Sequence, residues 1–193
     1  AYVTISTGVG AGAVLGGRLV HGRRSGLELG HTVIDRRLAA EGHDGTVEGL
    51  GSGTALAARA EADFGHPVPG PELAEHVRVA RAAPGQNDAG NLAQDVWKDV
   101  IGAAGLGIVN LCWTLSPEVV VVGGGVGLNW DLNEPILRDV LDRLGPPFED
   151  IDLAPAALGD DAGLAGAAAW QEAIGRPTPL RDERSGEPGP SGA

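Results

Sequence analysis

The stretch EVVVVGGGVG, Glu118–Gly127, constrains the fold more than any other part of the chain. Four consecutive β-branched residues without polar alternation make a strand buried on both faces, and such strands belong to parallel sheets covered by helices. Three glycines at its carboxyl end lead into the helical pattern DLNEPILRDVLDRLG, with a cap expected near Asn129 or Asp131. That is where open α/β sheets receive ligands. Helical patterns also precede the strand: TVEGLGSGTALAARAEADFG, PELAEHVRVARAA with proline in its first turn, and a long apolar helix over about residues 89–115 capped by Asp88. DIDLAPA then reads as a short strand, and DDAGLAGAAAWQEAIG as a helix of small residues capped by Asp160 or Asp161. The alternation predicts an α/β protein, a mixed sheet with packed helices.

The opening AYVTISTGVGAGAVLGGRLVHG carries a second glycine-rich segment. Gly8, Gly10 and Ala13 satisfy the dinucleotide spacing G-x-G-x-x-G/A, and Glu28 stands about 20 residues further on, where that fingerprint requires an acid. The fingerprint works only if its last glycine opens a helix. Here Gly12, Gly16 and Gly17 break the segment into short apolar runs, which predicts a meander of strands joined by glycine turns. A glycine turn of this kind can cradle an anion with its N–H groups or be an ordinary hairpin, and the residues alone leave both open. The loop after Val122 fails the same test, because Leu128 or Trp130 occupies the third glycine position. ELGHTVID is expected as a turn into another short strand, and RRLAAEGHDG as a polar loop.

A formal net charge of −12 over 193 residues argues against nucleic-acid binding by this chain. The single cysteine, Cys112, lies in the apolar run GIVNLCWTL and reads as a reduced core thiol. The longest apolar run is shorter than a membrane span and contains Asn110, and no leader pattern is visible at the start, so a cytoplasmic compartment is expected. The chain contains no methionine and begins within a strand, from which further chain upstream is expected. Residues 176–193 are rich in Pro, Gly and charge and are expected to be disordered, leaving one lobe over 1–175.

Taken in order, STGVGAG (Ser6–Gly12), LELGH (Leu27–His31), VEGLGSG (Val47–Gly53), LSPEVVVVGGGV (Leu115–Val126) and AGLAGAA (Ala162–Ala168) resemble the ROK family of bacterial sugar kinases and sugar-responsive repressors. The resemblance implies the actin-like (ribonuclease H-like) ATPase fold of the hexokinase superfamily, here its C-terminal lobe. By it, Thr7, Gly8 and Gly10 look like a phosphate loop for ATP, and Gly123, Gly124 and Gly125 like the loop beside the adenosine. Glu28, His31 and Glu48 fall on the family's sugar-contacting positions. Their chemistry suits a hexose, because ionised carboxylates accept from vicinal hydroxyls and an imidazole can donate to one. The implied reaction is ATP-dependent phosphorylation of a hexose or amino sugar with Mg²⁺ on the phosphates. A sugar-sensing repressor and a polyphosphate-dependent glucokinase are the alternatives, and a homo-oligomer is compatible with any of them.

Two departures stand out. The family's zinc motif has no counterpart, since LAAEGHDGT contains no cysteine, so zinc is not expected and His31, Glu41, His43 and Asp44 are read as loop residues rather than ligands. QNDAGN (Gln86–Asn91) imitates the family's catalytic-aspartate motif but follows the sugar motif instead of preceding it. The catalytic base is therefore unassigned in this chain and expected upstream, and the chain alone is expected to transfer no phosphate.

Overall fold

A computed structural model describes residues 1–23, 26–83, 85, 88–143 and 151–174. The described residues divide into two compact units, one within residues 1–160 and one that begins at Asp161. In the first, β1 (Tyr2–Ile5) turns back through Ser6–Gly8 into antiparallel β2 (Val9–Gly12), with Ile5 opposite Val9. A two-stranded ribbon follows, β3 (Val14–Leu15) and β4 (Arg18–Leu19), joined by Gly16 and Gly17. Both glycines have positive φ, 56° and 75°, as a tight hairpin turn requires.

The valine run forms β5 (Val119–Gly123), hydrogen-bonded in parallel to β1 on one side and to β6 (Asp152–Pro155) on the other, in the order β2-β1-β5-β6. Flanked on both edges and covered on both faces, Val120 and Val122 are fully buried, as the unbroken apolar pattern predicts.

Helices α1 (Arg36–Ala40), α2 (Val47–Gly51), α3 (Gly53–Phe64), α4 (Gly70–Ala82), α5 (Asp88–Leu115) and α6 (Trp130–Arg143) complete the first unit. The long helix α5 is its hub and packs against α2, α3, α4 and α6. Its buried residues Ala93, Val96, Trp97, Val100, Ile101, Ala104, Ile108, Leu111 and Cys112 recur at helical spacing. Small residues let partners come close: a Cβ on Gly107 would press into Val47, one on Gly105 would meet Val140, and one on Gly51 would run into the backbone of Ala104. The second unit contributes α7 (Ala162–Ile174).

Three local expectations need correction. ELGHTVID forms a 3₁₀ turn at Leu29–His31, with isolated bridges from Leu27 to Ala11 and Val33 to Thr46 in place of a strand. Gly30 there lies against the Val9 carbonyl and the Thr32 hydroxyl donates back to Leu29 O, which curls the segment. RRLAAEGHDG begins with α1, because the Asp35 carboxylate accepts from the N–H groups of Arg37 (2.9 Å) and Leu38 (3.1 Å) and caps it. TVEGLGSGTALAARAEADFG is two helices, broken at Ser52, which is extended and whose hydroxyl caps α3 through Ala55 N (3.1 Å). Gln86, Asn87 and the expected tail 176–193 lie outside the described residues.

Candidate functional site

Two hydrogen-bonded turns and one helix start meet at the carboxyl ends of β1 and β5. The Ser6–Gly8 turn is closed by Ser6 N donating to Gly8 O (2.9 Å) and is fastened to α3 by its carbonyls. Gly53 N donates to Ser6 O (2.6 Å), and the Thr54 hydroxyl to Thr7 O (2.8 Å). Gly53 has no room for a side chain, since a Cβ would stand 2.6 Å from Ser6 O and 3.2 Å from Val126 Cγ2. The turn after β5 rides on β1 in the same way. Val126 N and Gly127 N both donate to Ile5 O at 3.0 Å, and Gly124, at φ 86°, lies against Thr4 and Ile5. Gly123, the last residue of β5, abuts the Tyr2 ring.

Between these turns opens a cleft of about 690 Å³. Ser6 and Thr7 line it from one turn, Gly125 and Asn129 from the other, Thr54 from the start of α3, and Arg78 from α4. Its size falls within the ordinary range of small-molecule sites. Among the described residues its lining offers hydroxyls, amides and one guanidinium, and no carboxylate. Thr7 and Gly125 are thus brought to one cleft, whereas Gly10 lies within β2 opposite Thr4, away from that lining.

Beside the cleft, Glu48 of α2 is wedged between Gly8 and Gly30. Its Oε2 accepts from Val9 N (2.8 Å), a Cβ on Gly8 would overlap that oxygen, and one on Gly30 would stand 3.3 Å from it. The 3₁₀ turn, with Glu28 at its entry and His31 at its end, packs on β2 and on α2, the helix that carries Glu48. Glu28 and His31 are exposed and Glu48 half-buried. Glu28 also borders a smaller, largely apolar cavity of about 180 Å³ with Leu27, Leu111 and Leu115.

Asp44 serves the fold. Its carboxylate accepts from the Thr46 hydroxyl (2.6 Å) and N–H (3.1 Å), bonds that lower its pKa. Among the described residues, no three His, Cys, Asp or Glu side chains converge on a point where a metal would sit. Cys112 is buried, and desolvation raises its thiol pKa to about 11.

Sequence reasoning missed Thr54, Arg78 and the cleft role of Asn129. The Ser52–Gly53 break was the available signal for the first, and nothing local marks Arg78, which reaches the site from 51 residues away.

The family question is settled by comparison. The ROK family profile matches residues 1–174. The chain belongs to the ROK family. Among curated ROK relatives, a glucokinase of Pyrobaculum calidifontis is 35% identical over 176 residues, 88% of this chain and 56% of that protein. An N-acetylmannosamine kinase of Vibrio vulnificus is 38% identical over 134 residues, 66% of this chain and 41% of that protein. The chain spans about half the length of the curated relatives it matches. Among solved structures, a ROK glucokinase from Streptomyces griseus in complex with glucose and AMPPNP superposes with a TM-score of 0.70 at 27% identity, over 88% of this chain and 59% of that one. The mixed sheet with packed helices is accordingly that of a ROK sugar kinase, the actin-like ATPase fold, as the motifs imply.

Proposed function

We propose that this chain is the lobe of a ROK kinase that binds a hexose or amino sugar beside ATP and aligns them for phosphoryl transfer, residues 1–175 forming that lobe in a cytoplasmic enzyme. The observation that carries the reading is the shared Ser6–Gly8 turn. Thr7 faces the cleft, while the adjacent Gly8 and Val9 hold Glu48 of the sugar cluster. A phosphoryl group passing from nucleotide to sugar would cross that one turn.

In the reaction, a sugar hydroxyl oxygen attacks the γ-phosphorus, the bond to the β–γ bridging oxygen breaks, and ADP leaves. Thr7 and the neighbouring backbone orient the phosphates, and the Gly123–Gly125 turn and Asn129 border the nucleoside. Glu28 and Glu48 accept from sugar hydroxyls and His31 donates to one. These residues position reactants, which supplies most of the catalysis in phosphoryl transfer. The hydroxyl proton goes to a base assigned to no residue of this chain. Among the described residues the lining offers no carboxylate to Mg²⁺, and a Mg²⁺ would be carried by the nucleotide phosphates.

Calorimetric titration with MgAMPPNP and with glucose or N-acetylmannosamine tests the reading, and a protein that binds neither nucleotide nor sugar refutes it. In a coupled ADP-release assay with MgATP, this chain alone should not turn over. Rates near the ordinary 1–100 per second would place the base within it, Asp88 first. Sugar binding without any nucleotide binding would favour the repressor reading.

A further inference from the structure

The turn after β5 is held from three sides, and the three holds differ in kind. From below, Val126 N and Gly127 N donate to Ile5 O of β1. From the core side, the buried Asn133 amide donates to Val126 O (2.8 Å) and Gly127 O (3.1 Å), its own oxygen fixed by the indole N–H of Trp97 (2.9 Å). From the cleft side, Asn129 Nδ2 donates to Gly125 O and Val126 O, both at 3.2 Å.

That last amide is oriented from another helix. Arg78 of α4 sends Nη2 to Asn129 Oδ1 (3.0 Å) while gripping Asp131 with Nε (2.8 Å) and Nη2 (2.9 Å). With its oxygen taken by a guanidinium, Asn129 can present only its NH₂ to the turn. The carboxylate holds the guanidinium plane in place, a two-point grip that a lysine cannot reproduce. Arg81, one turn on along α4, donates instead to the carbonyls of Asp131 (2.8 Å) and Leu132 (3.0 Å). It ties α4 to α6 without touching Asn129 and is absent from the cleft lining.

We propose that Arg78 is a positioning residue for the nucleotide: through Asn129 it sets the Gly125–Val126 edge of the cleft against which the nucleoside packs. The inference rests on the functional reading above, and it assigns to α4, a helix with no predicted site residue, control over nucleotide affinity but not sugar affinity. Glu28, His31 and Glu48 share no hydrogen bond with the Arg78–Asn129–Asp131 set.

Four variants test it by calorimetric titration with MgAMPPNP and, separately, with glucose and N-acetylmannosamine. Arg78→Met should weaken nucleotide binding about ten- to a hundredfold, the range expected for lost charge-assisted hydrogen bonds, and change sugar affinity less than about twofold. Arg78→Lys, which keeps the charge and is the milder change should the first variant fold poorly, should recover little. Asp131→Asn should weaken the nucleotide by a smaller factor in the same direction. Arg81→Met should lower the melting temperature while leaving nucleotide affinity within about twofold. Unchanged nucleotide affinity in Arg78→Lys, or equal losses in the Arg78 and Arg81 variants, overturns the inference while leaving the functional reading intact. Wild-type protein that takes sugar but no adenine nucleotide overturns both.

Discussion

Replacing Asn133 with alanine should cost the protein about 3–5 kcal/mol, which is large for one small polar residue. Asn133 is 0% exposed and Trp97 1% exposed, so the indole N–H loses its partner in a place water cannot reach. A stranded buried donor costs about 1–3 kcal/mol. Gly127 O loses its amide as well, adding about 1 kcal/mol, whereas Val126 O keeps the Asn129 N–H and amide and loses less. The vacated side-chain volume supplies the rest. Against a typical domain stability of about 5–15 kcal/mol, this is about a fifth or more of the total. Urea unfolding at pH 7 followed by circular dichroism reads it directly.

Asn133→Asp separates polarity from volume. One oxygen still accepts from Trp97, but the other would face two carbonyls without a proton, so burial and those carbonyls raise the folded carboxyl pKa above its unfolded value of about 3.9. The folded state then holds the proton more tightly than the unfolded chain. The variant's stability should fall as pH rises from the unfolded pKa through the folded one, making it weaker at pH 7 than at pH 5 relative to wild type. A loss below about 1 kcal/mol for Asn133→Ala, or a pH-independent Asn133→Asp, would refute the claim that this amide network holds the turn.

Glu48→Ala should weaken glucose or N-acetylmannosamine binding by about 1.5–3 kcal/mol and, by freeing Val9 N, also lower the melting temperature; Glu28→Ala should affect sugar alone, and unchanged sugar affinity in both variants would remove the cluster from the site. Cys112, with its thiol pKa raised to about 11 and its side chain buried, should resist a thiol reagent at pH 8 in the native protein and react fully in denaturant; rapid native labelling would show that α5 opens. Elemental analysis should find substoichiometric zinc and a chelator should leave the melting temperature unchanged, whereas one tightly held zinc per chain would restore His31, Glu41 and His43 as ligands. The Arg78–Asp131 pair, in which the guanidinium lowers the Asp131 pKa, contributes stability above the unfolded carboxyl pKa and loses it as pH falls through the lower folded value, so nucleotide affinity through Asn129 should hold from neutral pH to about 5.

Much of this protein was legible one segment at a time. The unbroken valines specify a strand buried on both faces because any polar side chain there would lose its water, and β5 is that strand. Apolar spacing along α5 marks a helix surrounded by others, and the glycine pair 16–17 marks a turn whose φ values only glycine adopts readily. The ordered motifs carried the family with them. What failed locally failed for local reasons of another kind. A single carboxylate at Asp35 was enough to start α1 in a stretch that read as loop, and a single hydroxyl at Ser52 to break one helix into two.

The site belongs to the tertiary structure. Sequence placed Glu28 and His31 in one motif and Glu48 in another, and only the fold packs the 3₁₀ turn on α2, where the missing side chain of Gly8 leaves Glu48 room to reach Val9 N. Thr7 and Gly125 are far apart in the chain and share a cleft because β1 and β5 pair in parallel, which brings their carboxyl ends side by side. Arg78 shows no periodic or motif signal, since its bonds run to residues 51 and 53 positions away. Periodicity reports which face of an element is dry, a property of neighbours in sequence. Which polar groups meet across the cleft depends on how whole helices pack, and short-range pattern carries no record of that.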